Sequence, residues 1–222
     1  MPHAPAPAPR STYHHGDLKN ALVQAGIAML EEGGLPALSL RALAARVGVS
    51  HTAPKNHFGS LRGLLTAIAA EAFRRHAAFM RDGLAPDATP EARLRAAMTG
   101  YARFARTHPH LFALMFSDLH CDMTDPALQA AGAESYGILQ DVAHALDWTS
   151  ADGAPASPRQ TEMMLWSFVH GYAVLSQTGL LPAGPGGAPA FAVTEIMPAF
   201  HYGAGADAPR PPAPPPFHET GD

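Results

Sequence analysis

From Leu18 the apolar positions fall at Leu18, Ala21, Leu22, Ala25, Met29 and Leu30. This is the three-four spacing that lays one apolar stripe along a helix. Asp17 precedes the run as a candidate N-cap, and Gly33-Gly34 closes it. Ser39 caps a second, shorter pattern with Leu40, Leu43, Ala44 and Val47, stopped by Gly48; Ser50 then opens a third short helix to Phe58. Ser60 caps a long fourth helix over 61–81, with Leu64, Leu65, Ile68, Ala72 and Phe79 on one stripe. Thr89-Pro90-Glu91 opens a helix to Thr107, Pro109 one to Met115, Asp125-Pro126 one to Asp147, and Pro158 one to Gly179. The pattern places a last helix over 191–202. Proline recurs at these starts, where its missing N–H costs nothing. No strand-like alternation persists, so the chain reads as all-α.

Composition divides the chain. Residues 1–12 alternate Pro with Ala, and 206–222 are proline-rich; neither stretch can build a helix or a ladder, so both read as disordered tails. Between them the expected units are a head over 13–60 and a helical body over 61–205, joined by the helix 61–81. Residues 1–82 hold nine Lys/Arg against five Asp/Glu, whereas 83–222 hold six against fourteen. A basic first part on an acidic remainder suggests that only the head meets a polyanion. One cysteine excludes a disulfide framework within the chain and a cysteine-based zinc finger. The longest apolar runs are too short to span a bilayer, and the N-terminus lacks an apolar signal region, so a cytoplasmic setting is expected.

The second and third helices are informative as a pair. Only Gly48 and Val49 separate Val47 from Ser50. A short helix, a glycine turn and a second short helix make the helix-turn-helix plan, whose second helix enters the DNA major groove. If Val49, Ala53 or Pro54, His57 and Phe58 face inward, then His51, Thr52, Lys55 and Asn56 face out. Lysine reads guanine acceptors or phosphate, asparagine pairs with adenine, and threonine offers a hydroxyl or a methyl. Ser50 at a cap leaves helix N–H groups for a phosphate. A plain αα-hairpin with a solvated face would show the same turn.

Residues 13–70 resemble the N-terminal domain of TetR/AcrR-family transcriptional regulators. The likeness rests on the opening helix ending in EEGG, then LSLRALAARVGVS, then His57-Phe58 before a leucine-rich helix. It implies a dimeric, all-α repressor that binds a palindromic double-stranded DNA operator and is released by a small molecule. The DNA-contacting residues it implies are Ser39, Arg41, Ser50, His51, Thr52, Lys55, Asn56, His57 and Arg62. Two positions depart from the family pattern. Lys55 stands where the family usually has tyrosine, and Leu61 where it usually has lysine, which moves a phosphate contact to Arg62 or loses it.

The C-terminal half carries a second likeness. Trp166-Ser167-Phe168-Val169-His170-Gly171 matches the W-x-x-x-H-G pattern of one TetR C-terminal class, the WHG class, and His108–Phe116, HPHLFALMF, looks like its short helix. Trp166 and His170 lie four apart on one helix face, and Gly171 offers close approach to another helix. Core packing of Trp166 and His170 is an alternative to ligand contact. The family implies a cavity here, for which Tyr101, His108, Phe112, Met115, Tyr136, Trp166 and His170 are the candidate lining. Such a lining suits an apolar or amphipathic ligand. The helices 159–179 and 191–202 are the expected dimer interface.

Other chemistries find less support. His108, His110, His120, Cys121 and Asp122 fall close together, but their spacing matches no common metal-ligand pattern, so no metal or cofactor is expected. Cys121 as a redox switch has no partner thiol within the chain. Nucleophile elbows, P-loops and dinucleotide fingerprints are absent, so an enzyme is not expected. The main rival is a helical ligand- or metal-sensing adaptor that does not bind DNA.

Overall fold

The computed structural model describes residues 15–150 and 153–202. Both expected tails, 1–12 and 206–222, lie outside the described residues. The helices are α1 (His15–Gly33), α2 (Leu40–Val47), α3 (Ala53–Phe58), α4 (Leu61–Arg81), α5 (Pro90–Thr107), α6 (Pro109–Met115), α7 (Pro126–Ala143) and α8 (Pro158–Gln177). The predicted all-α class is the class observed, with only a two-residue antiparallel pairing added, β1 (Leu146–Asp147) on β2 (His201–Tyr202).

Capping explains most boundaries. The Ser39 hydroxyl accepts from the Ala42 N–H, Ser60 from Gly63, and Thr89 from Ala92. Asp125 accepts from both Ala127 and Leu128, and Ser157 forms a capping box with Gln160. Each bond satisfies a donor that a helix start leaves orphaned, and each is worth about 1 kcal/mol.

Four expectations need correction. Helix α1 already runs from His15, so Asp17 lies within its first turn and is not its cap. Ser50 does not start α3, which begins at Ala53. A helix capped by Ser50 would need its first hydrogen bond from residue 54 to the Ser50 carbonyl, and Pro54 has no N–H to give. Ala53 N–H instead closes a tight turn onto that carbonyl at 3.0 Å. Helix α7 ends at Ala143, because Leu146 and Asp147 leave it to pair with Tyr202 and His201. The last predicted helix is absent: 191–200 form turns and extended chain leading into β2. Pro198 cannot bond back to Thr194, which would break a helix over 191–202 before its last turn.

One apolar core runs through head and body. Its spine is α4, whose Leu64, Leu65, Ile68, Ala72, Phe73, His76 and Met80 are all buried. Helices α5 and α7 pack most extensively against it. The approach of α5 is close enough that a Cβ on Gly100 would lie 2.1 Å from the Phe79 carbonyl oxygen. Gly171, expected to admit a neighbouring helix, has nothing within 4 Å of an added Cβ among the described residues. Gly100, not Gly171, is the glycine at which another helix backbone comes this close to α5 or α8.

Candidate nucleic-acid interface and ligand cavity

The head is α1 to α3 seated on the first turns of α4. Gly48 ends α2 at φ 74°, ψ 31°, a left-handed conformation that costs glycine little. The turn is held by Val49 N–H to the Ala44 carbonyl at 3.0 Å. Behind α3, Pro54 is buried and His57 and Phe58 are half-buried; in front, His51, Thr52, Lys55 and Asn56 are exposed. The predicted inner and outer faces are therefore the observed ones. Thr52 and Ser50 share a hydroxyl–hydroxyl hydrogen bond of 3.2 Å, which steadies the turn entering α3. Ser39 and Arg41 are exposed at the start of α2, with the Ser39 hydroxyl already engaged as a cap. Arg46, on the same helix, is held by Glu32 in a two-pronged ion pair, both bonds 2.6 Å. Among the described residues no acidic group pairs with Lys55.

Arg62 is turned elsewhere. Its guanidinium donates to the Cys121 carbonyl at 2.7 Å and to the Asp118 carbonyl at 3.4 Å, in the loop between α6 and α7. The Asp122 N–H donates to the Thr66 hydroxyl at 2.9 Å beside it. Those carbonyls outcompete open solvent because the loop lies against the first turns of α4. Leu61, where the family usually has lysine, is exposed and apolar.

A second seam joins head to body. Glu31 of α1 accepts the Leu111 N–H at 3.3 Å and faces His108 Nδ1 at 3.4 Å. Helix α6 has no cap of its own at His108. The head supplies the missing acceptor. His108 thus belongs to this seam and not to the cavity.

The cavity lies in the body and is lined by Phe73 and His76 of α4, Tyr101 of α5, Phe116 at the end of α6, Gly132, Ser135, Tyr136 and Leu139 of α7, and Trp166 of α8. Of the predicted lining, Tyr101, Tyr136 and Trp166 are there. Phe112 and Met115 are buried core beside it, and His170 stands one step back, sharing a 2.8 Å hydrogen bond with the Tyr101 hydroxyl. Sequence reading missed Phe73, His76, Phe116, Gly132, Ser135 and Leu139. One signal was visible: His76 interrupts the buried stripe of α4 four residues after Ala72 and four before Met80.

Burial sets the electrostatics of this region. It pushes the His76 imidazole down to about 3, so the ring is neutral, and it lowers His170 as well. The Tyr136 hydroxyl donates to the buried Glu162 at 2.9 Å and accepts from Arg159 at 2.9 Å. Burial, and then the neighbouring Glu162, push Tyr136 up to about 12. Cys121 is buried, its thiol pushed up to about 12, which removes the thiolate a redox switch needs. Among the described residues no three His, Cys, Asp or Glu side chains gather to hold a metal, so His108, His110, His120 and Cys121 do not form a set. No helix among the described residues is long and apolar enough to cross a membrane.

A short helix on a glycine turn, carried on a larger helical body with its own cavity, makes a helix-turn-helix head on a helical body. Comparison with known proteins places the body among described domains. Residues 94–196 match the family model described as the tetracyclin repressor-like C-terminal domain. A solved protein of unknown function from Rhodococcus sp. RHA1 is similar at 29% identity and TM-score 0.64, covering 79% of this chain and 91% of that one. A structure described as a possible TetR family transcriptional regulator from Streptomyces coelicolor A3(2) is similar at 21% identity and TM-score 0.50, covering 75% and 76%. Apo ActR from Streptomyces coelicolor shares the fold at 16% identity and TM-score 0.50, covering 72% and 69%. No curated protein matches the chain. Residues 94–196 thus carry a tetracyclin repressor-like C-terminal domain, and the chain shares the fold of these solved structures.

Proposed function

We propose that the protein is a dimeric repressor that binds a palindromic DNA operator and lets go when its body takes up a small molecule. The observation that carries this reading is the exposed face of α3. Thr52, Lys55 and Asn56 project a hydroxyl, a cation and an amide from a helix backed by Pro54 and Phe58. These are the groups that read base edges and phosphates in a major groove. His51, Ser50, Arg41 and Ser39 flank that face and extend the contact; His57 supports it from the side. Arg62 acts from behind, as a strut between head and body.

Two heads must reach successive major grooves about 34–36 Å apart. The outer face of α8 supports a dimer that sets this spacing: Met163, Val174 and Leu175 are exposed there, and Gly171 lies open beside them. Ligand release works by differential affinity for two head spacings. Helix α4 is the lever, since it lines the cavity with Phe73 and His76 and carries Arg62 at its other end. The seams Arg62–Cys121 and Glu31–Leu111 would transmit its displacement.

The test replaces Thr52 and Lys55 together by Ala. Specific operator binding, read by fluorescence anisotropy against a scrambled duplex, should be lost, while helicity and dimer mass stay unchanged. A variant that still binds its operator normally would place the reading surface elsewhere. Failure of the unaltered protein to bind the DNA beside its own gene at any salt would favour the adaptor reading.

A further inference from the structure

The cavity in the body has a polar feature that its apolar walls leave unanswered. His76 is 2% exposed, and its Nδ1 lies 2.8 Å from the Ser135 hydroxyl. Its Nε2 is buried with no hydrogen-bond partner among the described residues. Buried ring nitrogens are nearly always paired, and His76 lines the cavity, so its unmet Nε2 is where a guest's polar atom would find a bond.

The remaining walls narrow the chemistry. No Asp, Glu, Lys or Arg lines the cavity, so an ion would enter without a counter-charge. Phe73, Tyr101, Phe116 and Trp166 offer ring faces and edges, which suit a flat aromatic guest. The space is small, about 20 Å³, room for about one water. Phe116 and Trp166 are the lining side chains that are only half-buried, so a guest larger than the present space would have to displace one of them. A single ring is the largest guest that displacing one such side chain would make room for.

We propose that this cavity binds a small uncharged phenol, its ring among Phe73, Phe116 and Trp166 and its hydroxyl bonded to Nε2 of His76. The proposal rests on reading the body as the sensor domain, and adds the class of ligand. A hydroxyl both donates and accepts, so it satisfies His76 whichever tautomer the Ser135 bond selects. Because His76 sits on α4, the guest acts directly on the lever that carries the head.

Calorimetry on the full chain with phenol, toluene and benzoate at neutral pH tests it. Phenol should bind about ten-fold tighter than toluene, since toluene leaves the imidazole unmet, and benzoate should not bind. In His76→Leu the preference for phenol over toluene should vanish while toluene binding survives. Should that variant not fold, nitrogen NMR of histidine-labelled unaltered protein decides: phenol must shift one neutral imidazole Nε2 that toluene leaves in place. Equal affinities, a preference for benzoate, or a cavity that takes only water overturns the proposal. Operator binding is measured separately without phenol. Phenol binding without DNA binding upholds the site and sinks the repressor reading; DNA binding without phenol binding sinks the site alone.

Discussion

The guanidinium of Arg62 donates to the backbone carbonyl of Cys121 across 2.7 Å, tying the first turn of α4 to the loop between α6 and α7. That bond changes what a DNA-binding experiment should show. A phosphate contact contributes about 0.9 to the slope of log affinity against log salt. Lys55→Ala should lower the slope by about that much per protomer. Arg62→Ala should leave the slope unchanged and alter affinity or ligand response instead. Anisotropy titrations over a salt series separate the two residues.

Glu31 offers a second handle on the same junction. Its carboxylate serves α6 as a cap borrowed from the head. Glu31→Ala should cost about 1 kcal/mol in urea unfolding, the usual loss for a removed cap. It should also weaken the coupling between ligand and DNA, whereas a purely local loss would leave that coupling intact.

The contact of Gly100 with the backbone of α4 predicts a steep steric response. A methyl there meets the Phe79 carbonyl oxygen at 2.1 Å, and no side-chain rotation relieves it. Gly100→Ala should destabilise the fold by about 3 kcal/mol or more. Gly137→Ala, inside α7 with nothing within 4 Å of an added Cβ among the described residues, should stabilise that helix by about 0.5–1 kcal/mol through helix propensity. Denaturation midpoints of the two variants should move in opposite directions.

His76 predicts a pH dependence with a definite sign. Its folded value lies near 3 against an ordinary 6.5, so below pH 6.5 the unfolded chain binds a proton that the folded chain refuses. Stability should fall by about 1.4 kcal/mol per pH unit from this group as pH drops from 6.5 toward 3, and be fully regained above 6.5. His170, lowered in the same direction, adds to the trend. Urea midpoints between pH 6.5 and 5, a range above most carboxylate titration, should show a shallower slope in His76→Leu than in the unaltered protein.

Exposed apolar side chains on α8 predict the assembly. Replacing Val174 and Leu175 together by Glu should halve the mass seen by light scattering and leave helicity unchanged. Retention of the dimer would move the interface off this face.

Local chemistry made much of the molecule legible from sequence. Ser39, Ser60, Thr89, Asp125 and Ser157 each state where a helix begins, and apolar stripes state which face is buried, because both depend on residues within a turn or two of one another. The outward face of α3 followed from the same periodicity. Tertiary structure decided the rest. The cavity wall gathers His76, Ser135 and Trp166 from three helices, and no spacing along the chain relates them. Arg62 read as a phosphate contact because its competitor, the Cys121 carbonyl, becomes a neighbour only after α6 and α7 fold back on α4. The helix expected at 191–202 was lost to one local fact, the proline at 198, and one distant one, the strand partner at 146–147. Periodicity reports what a segment could bury; which surface it meets, and which polar groups then find partners, is settled only when the whole chain has packed.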